Sequence, residues 1–157
     1  GQLVLCVARR KESVSFDGSH LEKRPDLSIY LSNRNRSFPL ITEAKIIDSA
    51  ASKTESLYCD NGIRRFVEGE YAWGNREAFM IAYIRDGSSI GTKLTPFLSN
   101  AGSRSPPGYL VETLPVAKGS ESYDLASSTH GRNFLYSSGL KDISEPGSIS
   151  IWHLWLP

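Results

Sequence analysis

Two short runs hold the residues best suited to chemistry: Arg24-Pro25-Asp26, and Glu43-Ala44-Lys45 in the next apolar segment. With a turn centred between Arg34 and Asn35, an antiparallel pairing sets 27–32 against 37–42, apolar run against apolar run. The same register places Asp26 directly across from Glu43. Cross-strand neighbours have β-carbons about 5 Å apart, and two carboxylates at that distance repel. A hard divalent cation turns that repulsion into a binding site, because it takes several carboxylate oxygens. Strand side chains alternate, so Lys45 shares a face with Glu43 about 7 Å further along. That spacing leaves room for a water and a phosphate between cation and ammonium. The chemistry these groups suit is phosphodiester hydrolysis, with the metal activating water and the lysine countering charge on phosphorus.

The elements that would position these residues are strands. Residues 27–31 and 38–47 are rich in Ile, Leu and aromatics, and the polar NRNRS turn separates them. Pro25 sits at a strand entrance, where a missing N–H does least harm. Residues 3–8 and Val14 to Phe16 read as short strands, the second followed by an Asp17-Gly18 turn. Residues 53–69 have helical spacing and stop at Gly69. Residues 75–85 read as a helix with Asn75 as N-cap, and 90–98 as a short helix that Pro96 weakens. Strand patterns return at 109–114, 133–136 and 148–156, while 99–108 and 117–124 read as loops. Strands, then helices, then strands predict an α+β or mixed α/β fold in one domain spanning 1–157.

The Pro25-Asp26 pair at the head of one strand and Glu43-X-Lys45 in the next resemble the PD-(D/E)XK nuclease superfamily, the restriction-endonuclease-like fold. The resemblance covers residues 24–45, with architectural agreement to about residue 85. It implies a central mixed sheet flanked by helices and a metal-dependent nuclease acting on DNA, in a setting such as restriction or defence against foreign DNA. It implies that Asp26 and Glu43 bind Mg2+, with Mn2+ as a substitute, that the Ala44 carbonyl is a further ligand, and that Lys45 assists the water. Asp26, Glu43 and Lys45 are thus the expected catalytic residues. The superfamily usually places a helix before its first strand, often with another acid. Only 25 residues precede Asp26 here, so the domain is expected to lack that helix or to borrow it from a partner. Glu12 and Glu22 are the available acids; Glu22 is the nearer, although a solvated turn charge explains it more simply. The alternative function is a nuclease-like subunit that binds nucleic acid or a protein partner, or pairs as a homodimer, without cutting. RNA is not separated from DNA by these residues.

Other polar residues have simpler readings. Arg24 would face Lys45 and is a candidate phosphate ligand, as is Arg65 on the helix after the third strand. Arg34 and Arg36 lie at the hairpin tip, in reach of a nucleic-acid backbone or simply solvated. Tyr71 and Trp73, in a stretch that also holds Gly62 and Gly69, read as packing a tight corner between helices. The Ser128-Thr129-His130-Gly131-Arg132 cluster reads as a loop, with an anion pocket as the rival reading. His153, between two tryptophans, reads as a buried core histidine. No spacing joins a histidine and a cysteine into a nucleophile and base.

Composition narrows the class further. The chain has 157 residues, 18 basic against 17 acidic, and a net charge of +1. Affinity for a polyanion must therefore come from a local patch. Two cysteines and three histidines exclude a disulfide framework and a Cys-rich zinc site. No apolar run has the length of a membrane span, and no leader is read at residues 3–8. The expectation is a cytoplasmic protein with no membrane partner.

Overall fold

Seven strands pair into one mixed sheet in the order β1-β2-β3-β4-β7-β6-β5. The computed structural model describes residues 3–11, 23–33, 35–119, 123–136 and 144–157. The strands are β1 (Val4–Arg9), β2 (Leu27–Leu31), β3 (Leu40–Ile47), β4 (Glu77–Ile84), β5 (Val111–Ala117), β6 (Asp124–His130) and β7 (Ile149–Leu156). The first three form an antiparallel meander, β3, β4 and β7 run parallel, and β6 and β5 return antiparallel. The β2–β3 pairing is Leu27 to Thr42, Ser28 to Ile41 and Ile29 to Leu40, the register expected from the hydrophobic runs.

One face of this sheet carries the core. Ile41, Glu43, Lys45 and Ile47 alternate onto it from β3, Ala78, Met80 and Ala82 from β4, and Ile149, Ile151, His153 and Trp155 from β7. The β3-to-β4 crossover packs there: α1 (Glu55–Tyr58), a π-helical turn (Cys59–Ile63) and α2 (Arg64–Val67). Tyr58, Ile63 and Phe66 are fully buried by it. Each such side chain contributes about 1.5–3 kcal/mol. The crossover ends at Gly69, whose φ of 74° suits a residue without a β-carbon. A second helical stretch, a π-helical turn (Ile90–Leu94) leading into α3 (Thr95–Gly102), adds Ile90, Leu94 and Leu98 to the same cluster. Ser89 and Thr92 cap it reciprocally. The expected helices therefore cover one face of the sheet rather than both. On the other face Phe79, Ile81, Trp152 and Leu154 are half-buried and Tyr83 is exposed.

The structure corrects several sequence readings. Residues 75–85 are the central strand β4, not a helix. A strand between two parallel neighbours is apolar on both faces, and a short apolar run has no period that separates it from a buried helix. Asn75 is no cap; its Nδ2 donates to the Pro39 carbonyl. Residues 124–130 form β6, although 128–132 was expected as a loop, because its core face is made of Ala126, Ser128 and His130 rather than large apolar side chains. Residues 133–136 join no ladder strand, and Tyr136 makes only an isolated bridge to Ser144. β5 starts two residues later than the 109–114 reading. Pro96 falls in the first turn of α3, where its missing N–H costs nothing. The readings at Glu12, Val14 to Phe16, Asp17-Gly18, Glu22 and Arg34 lie outside the described residues. Among the described residues no helix is long and apolar enough to cross a membrane.

Candidate metal centre

The β2–β3 ladder ends at Leu27 and Thr42, and Asp26 and Glu43 are the residues that follow on either side of that last pair. Here the ladder changes character. Asp26 Oδ2 accepts the Ala44 N–H at 2.8 Å, so a carboxylate takes the place of a strand carbonyl. Continued one step, the register sets the buried Pro25 against Ala44. The N–H and C=O of a strand residue point the same way, so the Ala44 carbonyl also faces β2. Proline has no N–H to give it. In that register the Ala44 carbonyl, named above as an expected metal ligand, has a proline rather than an N–H donor opposite it.

Glu43 is buried, its side chain only 4% exposed. Its Oε1 takes Lys45 Nζ at 2.6 Å and Arg65 Nη1 at 3.2 Å. Its Oε2 is buried with no hydrogen-bond partner among the described residues. An orphaned carboxylate oxygen in a protein interior is costly. Burial pushes the Glu43 carboxyl above its ordinary value; the bond to Lys45 opposes that, and the negative charge of Asp26 adds to it. The two acids therefore feel one another, as the register requires.

Arg65 is the hub of the cationic side. Its Nη1 also donates to Tyr71 Oη at 3.0 Å, and its guanidinium lies 5.5 Å from the centre of that ring. Tyr71 is fully buried, and burial together with the Glu43 charge pushes its hydroxyl up to about 12. Glu70 holds Arg65 from the other side, Nε to Oε2 at 3.8 Å, and pairs with Lys23 at 3.1 Å. The stem of Lys45 is backed by Gly62 in the π-helical turn. A β-carbon there would fall 2.3 Å from Met80 Cε and 3.9 Å from Lys45 Cε, so glycine lets the helix close on the strand.

These groups border an open cavity of about 1010 Å3. Asp26 and the Ala44 backbone line it, together with Arg9, Arg10, Lys45, Lys53 and Arg65. Glu43 sits behind this wall. One acid among five cations makes a local positive field on a chain of almost zero net charge. The structure brings Asp26, Glu43, Ala44, Lys45 and Arg65 together. Arg24 is exposed and does not line this cavity, and Glu22 lies outside the described residues. Sequence reading missed Arg9, Arg10 and Lys53, which reach the cavity from β1 and the β3–α1 connection; their charge was visible, their side of the sheet was not.

Two carboxylates side by side, one with a buried oxygen that has no partner among the described residues, are donors of the kind a divalent cation takes. Among the described residues no three His, Cys, Asp or Glu side chains converge on one point. His130 and His153 are fully buried and neither line this cavity nor bond to Glu43. No protein-family model, curated protein or solved structure matches the chain.

Proposed function

We propose that this chain is a divalent-metal-dependent phosphodiesterase that hydrolyses DNA, with Asp26, Glu43 and Lys45 as its catalytic residues. The observation that carries the reading is Glu43 itself, a buried carboxylate with one oxygen unpartnered among the described residues, set behind the wall of a cavity lined by Asp26 and five cations. Asp26, Glu43 and the Ala44 carbonyl would hold Mg2+ or Mn2+. Bound there, the cation would lower the pKa of a water and draw charge from a phosphoryl oxygen.

The chain's own groups divide the remaining work. Arg9, Arg10, Lys53 and Arg65 attract and seat the phosphate backbone. Lys45, fixed by its bond to Glu43, orients the attacking water and counters charge growing on phosphorus. The water oxygen bonds to phosphorus, the P–O3′ bond breaks, and the products are a 3′-hydroxyl and a 5′-phosphate. Removing one preorganised donor of this kind costs about 10²–10³-fold in rate, which is the loss expected for Lys45→Ala.

The test is plasmid cleavage with magnesium. Wild type nicks or linearises the plasmid and Asp26→Ala leaves it intact; identical DNA from both overturns the assignment for the isolated chain.

One feature favours a second reading, a nuclease-like subunit that binds nucleic acid without cutting. Lys45 and Arg65 both neutralise Glu43 Oε1, so a cation must compete with two internal ion pairs. DNA affinity without turnover, together with a co-purifying protein, would select it. Turnover by the purified chain would exclude it.

A further inference from the structure

A smaller cavity, about 240 Å3, opens on the same sheet face as Asp26 and Glu43. Its floor is Ser28 and Ile41, a cross-strand pair two residues along each strand from the acids, roughly 7 Å away. Its lining is unlike that of the cation-rich cavity: Tyr30, Phe38 and Trp73 supply three aromatic rings, with Lys11 and Arg36 beside them. Rings next to cations are the surface on which nucleic-acid bases stack while their phosphates are neutralised.

The wall is built to stay in place. Phe38 meets Trp73 edge to face, ring centres 6.0 Å apart. It lies so close over Gly74 that a β-carbon there would come within 2.3 Å of the ring. The corner at residues 72–75 is tied from behind by Arg132, which donates to the carbonyls of Ala72, Trp73 and Asn75. Tyr136 donates to the Trp73 carbonyl as well. Both Nη groups of Arg132 are used on this corner. Lys11 is held at the rim by Tyr30, Nζ to Oη 2.6 Å and 5.1 Å from the ring centre. Rings fixed before binding lose little entropy when a flat ligand arrives.

We propose that this cavity seats one unstacked base of a single-stranded segment whose backbone continues past Asp26 and Glu43, with Lys11 and Arg36 on its phosphates. The proposal rests on the phosphodiesterase reading and specifies its substrate. Within a duplex both faces of a base are covered by neighbours, so a ring of the protein reaches only a base that has left the stack. A substrate that is single-stranded, or unpaired beside the cut, follows.

The experiment is binding in EDTA, where no cleavage interferes, read by anisotropy of three labelled probes of equal length. These are single-stranded oligothymidylate, an abasic strand and a duplex. Oligothymidylate should bind more tightly than either of the others. Trp73→Leu should weaken it by about 5- to 150-fold, the range of one lost base stack, and leave the abasic strand unchanged. Phe38→Leu, at a partly exposed position, should act in the same direction and serves if Trp73→Leu does not fold. Arg36→Ala should weaken both single strands together. Equal affinity for oligothymidylate and the abasic strand, or no binding of either, overturns the proposal, as does a folded ring variant that keeps wild-type discrimination. Failure here leaves plasmid cleavage by wild type untouched. A base preference without any cleavage sinks the phosphodiesterase reading alone.

Discussion

Two polar clusters lie buried on one face of one sheet, and they are built on opposite terms. Beneath α1, Tyr58 Oη meets His153 Nδ1 at 2.8 Å, His153 Nε2 meets Ser128 Oγ at 2.7 Å, and Ser128 Oγ meets His130 Nε2 at 2.8 Å. The chain ends with His130 Nδ1 on the Tyr109 carbonyl at 2.8 Å. That carbonyl only accepts, which fixes every proton before it. His130 Nδ1–H donates to Tyr109, Ser128 donates to His130 Nε2, His153 Nε2–H donates to Ser128, and Tyr58 donates to His153 Nδ1. Both rings are neutral and both ring nitrogens of each are used. At the candidate metal centre one carboxylate oxygen has two cations and the other has no partner among the described residues. A fully satisfied network specifies the fold, whereas an unsatisfied buried group is retained where a ligand completes it.

The contrast is sharpest in Glu43→Gln. Glutamine keeps the shape and removes the buried charge and its repulsion from Asp26. Cleavage should fall by at least about 10²-fold, while the melting temperature stays level or rises, the pattern of a site held against stability. A fall in melting temperature comparable to the fall in activity would make Glu43 a structural ion-pair residue and erase the distinction. His153→Phe is the counterpart. It strands the Tyr58 hydroxyl in the core and leaves Ser128 Oγ with only its bond to His130, at a cost on the order of 2–4 kcal/mol by denaturant unfolding. Specific activity of the fraction that remains folded should be unchanged.

The two clusters also titrate in opposite senses. Burial pushes His130 down to about 4 and His153 down to about 3. Their neutral forms support the fold above the unfolded value of about 6.5, and that support is lost as pH falls from there through their folded values. Glu43 is displaced upward, so its contribution is largest at low pH and is lost as pH rises through its folded value. Unfolding free energy measured against pH should therefore fall on acidification from pH 6.5 in wild type. His153→Phe should flatten that limb and Glu43→Gln should not. Magnesium affinity should weaken on acidification while Glu43 is still above its ordinary range. An acid limb of unchanged slope in His153→Phe would contradict the assignment of neutral, titrating histidines.

How much of this was legible in the chain divides along the same line. The β2–β3 register followed from matching two apolar runs about one turn, since it is local to one hairpin. His153 was recognisable as a core residue from its tryptophan neighbours. Its partners were not. Ser128 and His130 sit in a strand whose inward residues are too small to register as a hydrophobic pattern, and Tyr58 comes from a helix far away in sequence. Arg132 looked like a loop cation because nothing local reveals that three carbonyls from residues 72–75 turn toward it. β4 was misread because central parallel strands lack alternation. Long-range pairing decided each of these, and a single sequence contains no record of it.

The smallest expected effect tests whether the cation-rich cavity works as an electrostatic surface. Lys53 lines it but bonds to neither acid in the observed contacts, and its backbone bridges Asp48. Lys53→Ala should leave the unfolding free energy within about 0.5 kcal/mol of wild type. For single-stranded DNA it should reduce the slope of log K against log salt by about 0.7, one phosphate contact. His153→Phe, equally a loss of polar groups, should leave that slope alone, because its cluster touches no solvent. A Lys53 variant with wild-type salt dependence would mean that phosphates do not pass this wall. The five cations would then be a solvated rim, and the positive cavity would lose its place in the contrast with the closed histidine chain.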